Sequence, residues 1–263
     1  MRPFLPGLIL AAFAPCLAPP PASGQADTAP PVAAPPDTAP DVAEAPPPDR
    51  FVVIPLRAHV LSATDLPAIE CHLTDADVER IVGKVNVIWH KAGIHWAIGP
   101  VVREPAARQD RFRAAQEAGD ALGLYRLLAP DESKADEGVD VYFIHAFPAN
   151  GVFLGNRTAF IQETARLRPV PGGIDEPLPR VTAHELGHAL GLPHRQDRTN
   201  LLASGTSGTI LNRAEVDRAR ERAERFPGAA TVPDLRRRLG GAKARGDDIE
   251  AARLDAILGA ISR

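Results

Sequence analysis

The chain has 263 residues, 44% of them hydrophobic, which is enough for one domain of ordinary size with a buried core. Its formal charge is −3 with both signs interspersed, so it lacks the basic field that would hold nucleic acid or an anionic membrane surface. Two cysteines, Cys16 and Cys71, are too few for a disulfide-stapled scaffold.

The first segment, 1–24, reads as an export signal and predicts a secreted or periplasmic protein. Arg2 is a short positive region, Phe4 to Phe13 an apolar stretch too short to span a bilayer, and Ala22-Ser23-Gly24 a small-residue cleavage site. Pro15 beside Cys16 argues against lipid attachment there, and removal of the signal leaves Cys71 alone, without a disulfide partner. Residues 25–50 are rich in Pro, Ala and Asp and hold no aromatic residue. That composition buries too little surface to fold and predicts an extended linker, not an inhibitory pro-domain.

A folded domain is expected over 51–226. Phe51 to Val60 is strand-like, and Thr74 with Asp77 makes a capping box ahead of Val78, Ile81, Val82, Val85 and Trp89 at helical spacing, with Gly93 as the stop. Ile94, Trp96 and Ile98 alternate like a half-buried strand. A weaker helix is predicted over 106–128, and the apolar run Val139 to Phe147 reads as a central strand. Next, Gly151 to Gly155 and Thr158 to Ile161 flank Asn156-Arg157, the second of them a short strand. The Pro- and Gly-bearing segment 162–176 predicts an irregular loop, after which Pro179 starts a further helix. Strands and helices alternating in this way predict an α/β (α+β) fold, a sheet packed on helices.

The helix after Pro179 carries His184-Glu185-Leu186-Gly187-His188, followed by Gly191, Pro193 and His194. Residues four apart on a helix share a face, so His184 and His188 can aim at one metal ion about 2 Å away. Gly191 can take a positive φ and turn the chain, Pro193 stops the helix resuming, and His194 becomes the third ligand. Glu185, one residue round, is placed as a general base for water activated by Zn2+. Two histidines and a glutamate at this spacing arise by chance in roughly one such chain in a hundred, and requiring Gly191 and His194 lowers that by a factor of about several hundred.

This pattern resembles the elongated zinc signature of the metzincin metallopeptidases, H-E-x-x-H-x-x-G-x-x-H, at all five defining positions. The resemblance covers 51–226 and is specific between about 180 and 210. It implies a twisted sheet on helices, a zinc helix, a smaller C-terminal subdomain, and a sheet edge above the metal that binds peptide as an added strand. Metzincins carry a turn beneath the zinc, usually with a methionine; Asn200 to Thr209 looks like that turn, with Leu202 in the methionine's place. Some members of the family add a tyrosine ligand after this turn; both tyrosines here, Tyr125 and Tyr142, lie upstream, so none is assigned.

Beyond the turn, Asn212 with Glu215 starts a helix whose Val216, Ala219, Ala223 and Phe226 form an apolar stripe. The tail, 227–263, is polar and Gly-rich until Leu254, Ile257, Leu258 and Ile261, a last helix expected to dock on the domain. Arg236-Arg237-Arg238 reads as a solvated helix face. His59, His72, His90, His95 and His145 have no ligand spacing and read as structural, and Cys71 reads as an inert buried thiol. The expected activity is that of a monomeric, exported, zinc-dependent endopeptidase acting on peptide or protein, with no transmembrane segment in the mature chain. Two other classes share the motif: an adhesion or binding module that keeps zinc without turnover, against which Glu185 argues, and a metal hydrolase of a non-peptide amide or ester.

Overall fold

The computed structural model of the chain describes residues 44–117 and 123–262. The expected signal segment, Cys16 and most of the expected linker lie outside the described residues, as does the middle of the helix expected over 106–128. At the end of that linker Pro48–Arg50 form a 3-10 turn, and the Arg50 carbonyl accepts a hydrogen bond from Arg220.

Strand β1 spans Val52–Ser62 and alternates its side chains between two buried faces. Helix α1, Asp75–Trp89, begins at the Thr74–Asp77 capping box and ends through a 3-10 turn at Gly93, whose φ of 63° is easy only for glycine. The chain returns in β2, Ile94–Ile98, parallel to β1 with Val52 opposite Ile94. Then come β3, Val102–Pro105; α2, Gln109–Glu117; and β4, Val139–Ile144. Strands β5, Gly151–Phe153, and β6, Thr158–Gln162, make a hairpin. Its tip places Asn156 and Arg157 at φ 46° and 60°, the two successive positive values of a type I′ turn.

The sheet order is β2-β1-β4-β6-β5, parallel except for the edge strand β5; β3 pairs with the far half of β1. Even-numbered positions of β1, from Val52 to Val60, and odd-numbered ones of β4 face one core, against α1 and the helices α3, Pro177–Ala189, and α4, Arg213–Glu224. Tyr142, Ile144 and Phe160 face the other side, where Phe112 and Tyr125 cover them. Thus the mixed α/β fold expected from the order of elements is the one observed.

Several elements depart from expectation. A short strand β7, Ala230–Thr231, pairs antiparallel with the start of β1, and the tail forms two helices, α5, Val232–Arg245, and α6, Asp248–Ile261. Val232, Leu235, Leu254 and Ile261 pack on Phe51, Val53 and Ala97, so β2 is buried on both faces and not half-buried. Helix α5 has a signal of its own, a Thr231–Asp234 capping box, but Gly240-Gly241 weaken its intrinsic preference; packing on the sheet supplies what propensity lacks. The three arginines, Arg236 to Arg238, are exposed, as expected. The helix expected over 106–128 is instead α2 followed by a 3-10 turn at Gly123–Leu128. The central strand ends at Ile144, three residues early, and the short strand β3 carried no clear pattern.

Candidate metal centre

Helix α3 starts at Pro177, two residues before Pro179. Pro177 and Pro179 both lack an N–H, so two of the donors that open a helix are absent and no capping side chain is needed. Glu176 turns instead to α1, where its carboxylate pairs with Arg80 and Lys84. At the other end Gly191 takes φ 77°, with the Leu192 N–H on the Gly187 carbonyl and the Gly191 N–H on that of His188. These two bonds are a Schellman cap, which swings the chain back under the helix and delivers His194.

His184, His188 and His194 do converge. The His188 Nε2 lies 3.1 Å from the Nε2 of His184 and 3.1 Å from that of His194. The His184 Nδ1 lies 2.8 Å from the Leu201 carbonyl oxygen, and the His188 Nδ1 2.8 Å from that of Leu192. A carbonyl only accepts, so each Nδ1 carries the proton and each Nε2 presents a lone pair. Lone pairs facing one another repel unless a cation sits between them, and ligands on a tetrahedral zinc stand about 3.3 Å apart. Burial holds His184 down at about 3, reinforced by His188 and Arg180, and likewise lowers His188 and His194. All three imidazoles are therefore neutral at neutral pH, the form a metal requires, and a set of neutral nitrogens suits Zn2+ far better than Ca2+ or Mg2+.

Glu185 is 5% exposed beside this trio. Burial pushes its carboxyl up to about 8, against the opposing pull of the Phe153 N–H and Arg180. A carboxyl near neutrality is suited to exchanging protons. It lines a cleft of about 320 Å³ together with the three histidines, Arg180 and strand β5. Gly151 allows β5 to pass this close: a Cβ there would lie 2.7 Å from Val181 and 3.0 Å from the Glu185 carboxylate.

The floor of the site is a polar clamp around one leucine. Leu202 is fully buried, and a Cβ on Gly187 would stand 3.1 Å from its Cδ1, so leucine and α3 meet closely at this glycine. Asn200 holds the Leu202 N–H at 2.7 Å, and Glu215, the capping residue of α4, holds Asn200 at 2.8 Å while pairing with Arg195 next to His194. Arg180, one helical turn before His184, is 1% exposed and donates to the carbonyls of Gly208, Asn200 and Ala203. Its spacing from His184 marks it as facing the same way, and one guanidinium nitrogen lies 3.3 Å from the His184 Nδ1; the three carbonyls it donates to are main-chain atoms, which no side-chain pattern reveals.

Among the residues expected to be structural, His59 is buried between Glu104 and Asp140, and Cys71 is buried with its thiol pushed up to about 12, chiefly by burial. His72 and His145 meet at one carboxylate, with both ring Nδ1 atoms on Glu163. Loop ends bring them together, so spacing along the chain carries no trace of it.

No protein-family model matches the chain, and no curated protein matches it. Among solved structures, a chaperone-substrate complex is similar at 13% identity and a TM-score of 0.36, over 67% of this chain and 35% of that one. Metalloproteinase-II from Bacteroides fragilis is similar at 13% identity and 0.36, over 70% and 57%. Archaemetzincin from Methanopyrus kandleri is similar at 20% identity and 0.32, over 68% and 97%. The chain thus spans 35% and 57% of the first two, and at such scores the likeness assigns no activity.

Proposed function

We propose that the chain is an exported, zinc-dependent endopeptidase of metzincin type, with His184, His188 and His194 as zinc ligands and Glu185 as general base. One observation carries the reading: three imidazole Nε2 atoms face one another, two with their Nδ1 protons committed to main-chain carbonyls, beside a buried carboxyl that lines the same cleft. When bound, Zn2+ supplies a Lewis acid that polarises a substrate carbonyl and makes water more acidic. Glu185 accepts a proton from water at a carboxylate oxygen and returns it to the departing amine nitrogen. The Leu201 and Leu192 carbonyls keep the ligand tautomers fixed, and Leu202 keeps the helix from sinking.

Peptide as substrate is supported by β5, the outermost strand, which lines the cleft and can take an extended chain by backbone hydrogen bonding. The peptidase domain is 51–226, and 227–263 adds the helical pair on the opposite face of the sheet. Leu202 stands in the place of the family's methionine. Export rests on the signal-like segment 1–24, and none of the described helices is long and apolar enough to cross a membrane. The test is hydrolysis of unstructured proteins, peptides and small esters by the purified chain, with and without chelator, beside Glu185→Gln. Chelator-sensitive peptide cleavage that Glu185→Gln abolishes supports the proposal, while metal binding without cleavage of any of them refutes it.

A further inference from the structure

We infer that His72, His145 and Glu163 form a second metal site, for a divalent transition ion of the zinc type. The three ligand atoms lie within 4.8 Å of one another, although Glu163 stands 91 residues from His72 and 18 from His145. Each residue sits just beyond the carboxyl end of a strand or on the loop after it: His72 after β1, His145 after β4, Glu163 after β6.

The carboxylate is held in an orientation that leaves one oxygen for a ligand. Oε2 accepts from the His72 backbone N–H at 2.8 Å and from the Cys71 thiol at 3.3 Å. Oε1 turns outward and meets both imidazoles, 2.7 Å from the His72 Nδ1 and in contact with the His145 Nδ1. The rings stand edge to face, 5.2 Å apart, so both nitrogens aim at one region from different directions. Two imidazoles and one carboxylate are a donor set for zinc, cobalt, nickel or copper, and a poor one for Ca2+ or Mg2+, which take oxygen. The Glu163 side chain is 10% exposed, whereas those of His145 and His72 are 37% and 67% exposed, so the cluster has a buried anchor and an open face toward solvent. That face borders a cavity of about 550 Å³.

Its location gives such an ion a role. His145 and Glu163 begin the two segments that run on to the rim of the main cleft, which Ala149, Asn150 and Leu167 line. Asn150 ties the segments together near the cleft, its side chain bonded to both the N–H and the carbonyl of Arg166. An ion at His72, His145 and Glu163 joins them at the far end and fastens both to the loop before α1. The bound ion is thus a brace for the rim.

The test is metal content after equilibrium dialysis against buffered Zn2+, measured on the full chain, on His72→Ala and on Glu163→Gln, with hydrogen exchange followed over 145–167. His72→Ala removes a mostly exposed ring and leaves the backbone N–H that anchors Glu163, so the fold is kept; a melting curve checks this. Each variant is expected to hold one equivalent fewer than the parent, and exchange over 145–167 is expected to quicken on loss of the ion. Metal content that neither variant lowers overturns the inference. The comparison with His188→Ala separates this site from the first: an equivalent lost in His72→Ala but none in His188→Ala leaves the second site standing and removes the proposed catalytic one.

Discussion

The molecule holds two clusters that offer nitrogen ligands to a common point, and they differ in where the proton goes. In the first, main-chain carbonyls take the Nδ1 protons of His184 and His188, the three imidazoles are neutral, and the one carboxyl, Glu185, stands beside the trio and outside it. In the second, the carboxylate of Glu163 lies among the ligand atoms themselves, and an ion there replaces the protons that now bridge its Oε1 to both imidazole Nδ1 atoms. A cluster that keeps a base in reserve can run proton-transfer chemistry, whereas one that spends its carboxylate on the ion is left with structure.

This contrast can be broken by removing groups one at a time. The largest effect is expected of His194→Ala, which takes a ligand from the first cluster and should lose both zinc and peptidase activity. Full occupancy in a metal assay would show that His194 is no ligand. Glu185→Gln should part the two properties: zinc is kept while turnover falls at least ~10²-fold, the scale of general acid–base catalysis. Unchanged turnover would refute a base in reserve. At the second cluster the corresponding change, Glu163→Gln, should cost the ion.

The protonation of Glu185 yields a stability test in chelator. Its carboxyl is raised from 4.5 to about 8 in the fold, so its favourable contribution is complete below pH 4.5 and is lost as the pH rises through about 8. Glutamine has no such loss. Metal-free Glu185→Gln should therefore match the parent near pH 4 and exceed it by on the order of 4 kcal/mol at pH 8, from urea unfolding at both values. The histidines, lowered by burial, act with the opposite sign, but they do so in both proteins and largely drop out of the difference. A gap of equal size at both pH values would mean that burial does not govern Glu185.

The smallest effects are expected at the floor of the first cluster. Leu202→Met conserves volume and polarity and should change stability by less than about 1.5 kcal/mol, with activity within a few-fold. Leu202→Asn places an amide under Gly187 and should cost roughly 1–3 kcal/mol together with some zinc retention. A large gain in activity with methionine would mark the natural chain as an impaired enzyme.

Local chemistry decided much of this protein before any tertiary contact. The spacing of His184 and His188, the glycine turn at 191, the capping boxes at Thr74 and Asn212 and the short strand at Thr158 depend on residues within a few positions of one another, and each stands in the structure. Tertiary structure decided the rest. The Leu201 carbonyl that sets the His184 tautomer and the main-chain partners of Arg180 are backbone atoms, identical in every residue and so without a signature. The close approach of the edge strand at Gly151 is a matter of space between β5 and α3. Burial of β2 on both faces waited on α5 and α6, and Glu163 reached His72 across 91 residues because parallel strands gather their carboxyl ends on one side of a sheet. Short-range order is written in residue type and period, whereas convergence of distant side chains is a property of topology, which no local period encodes.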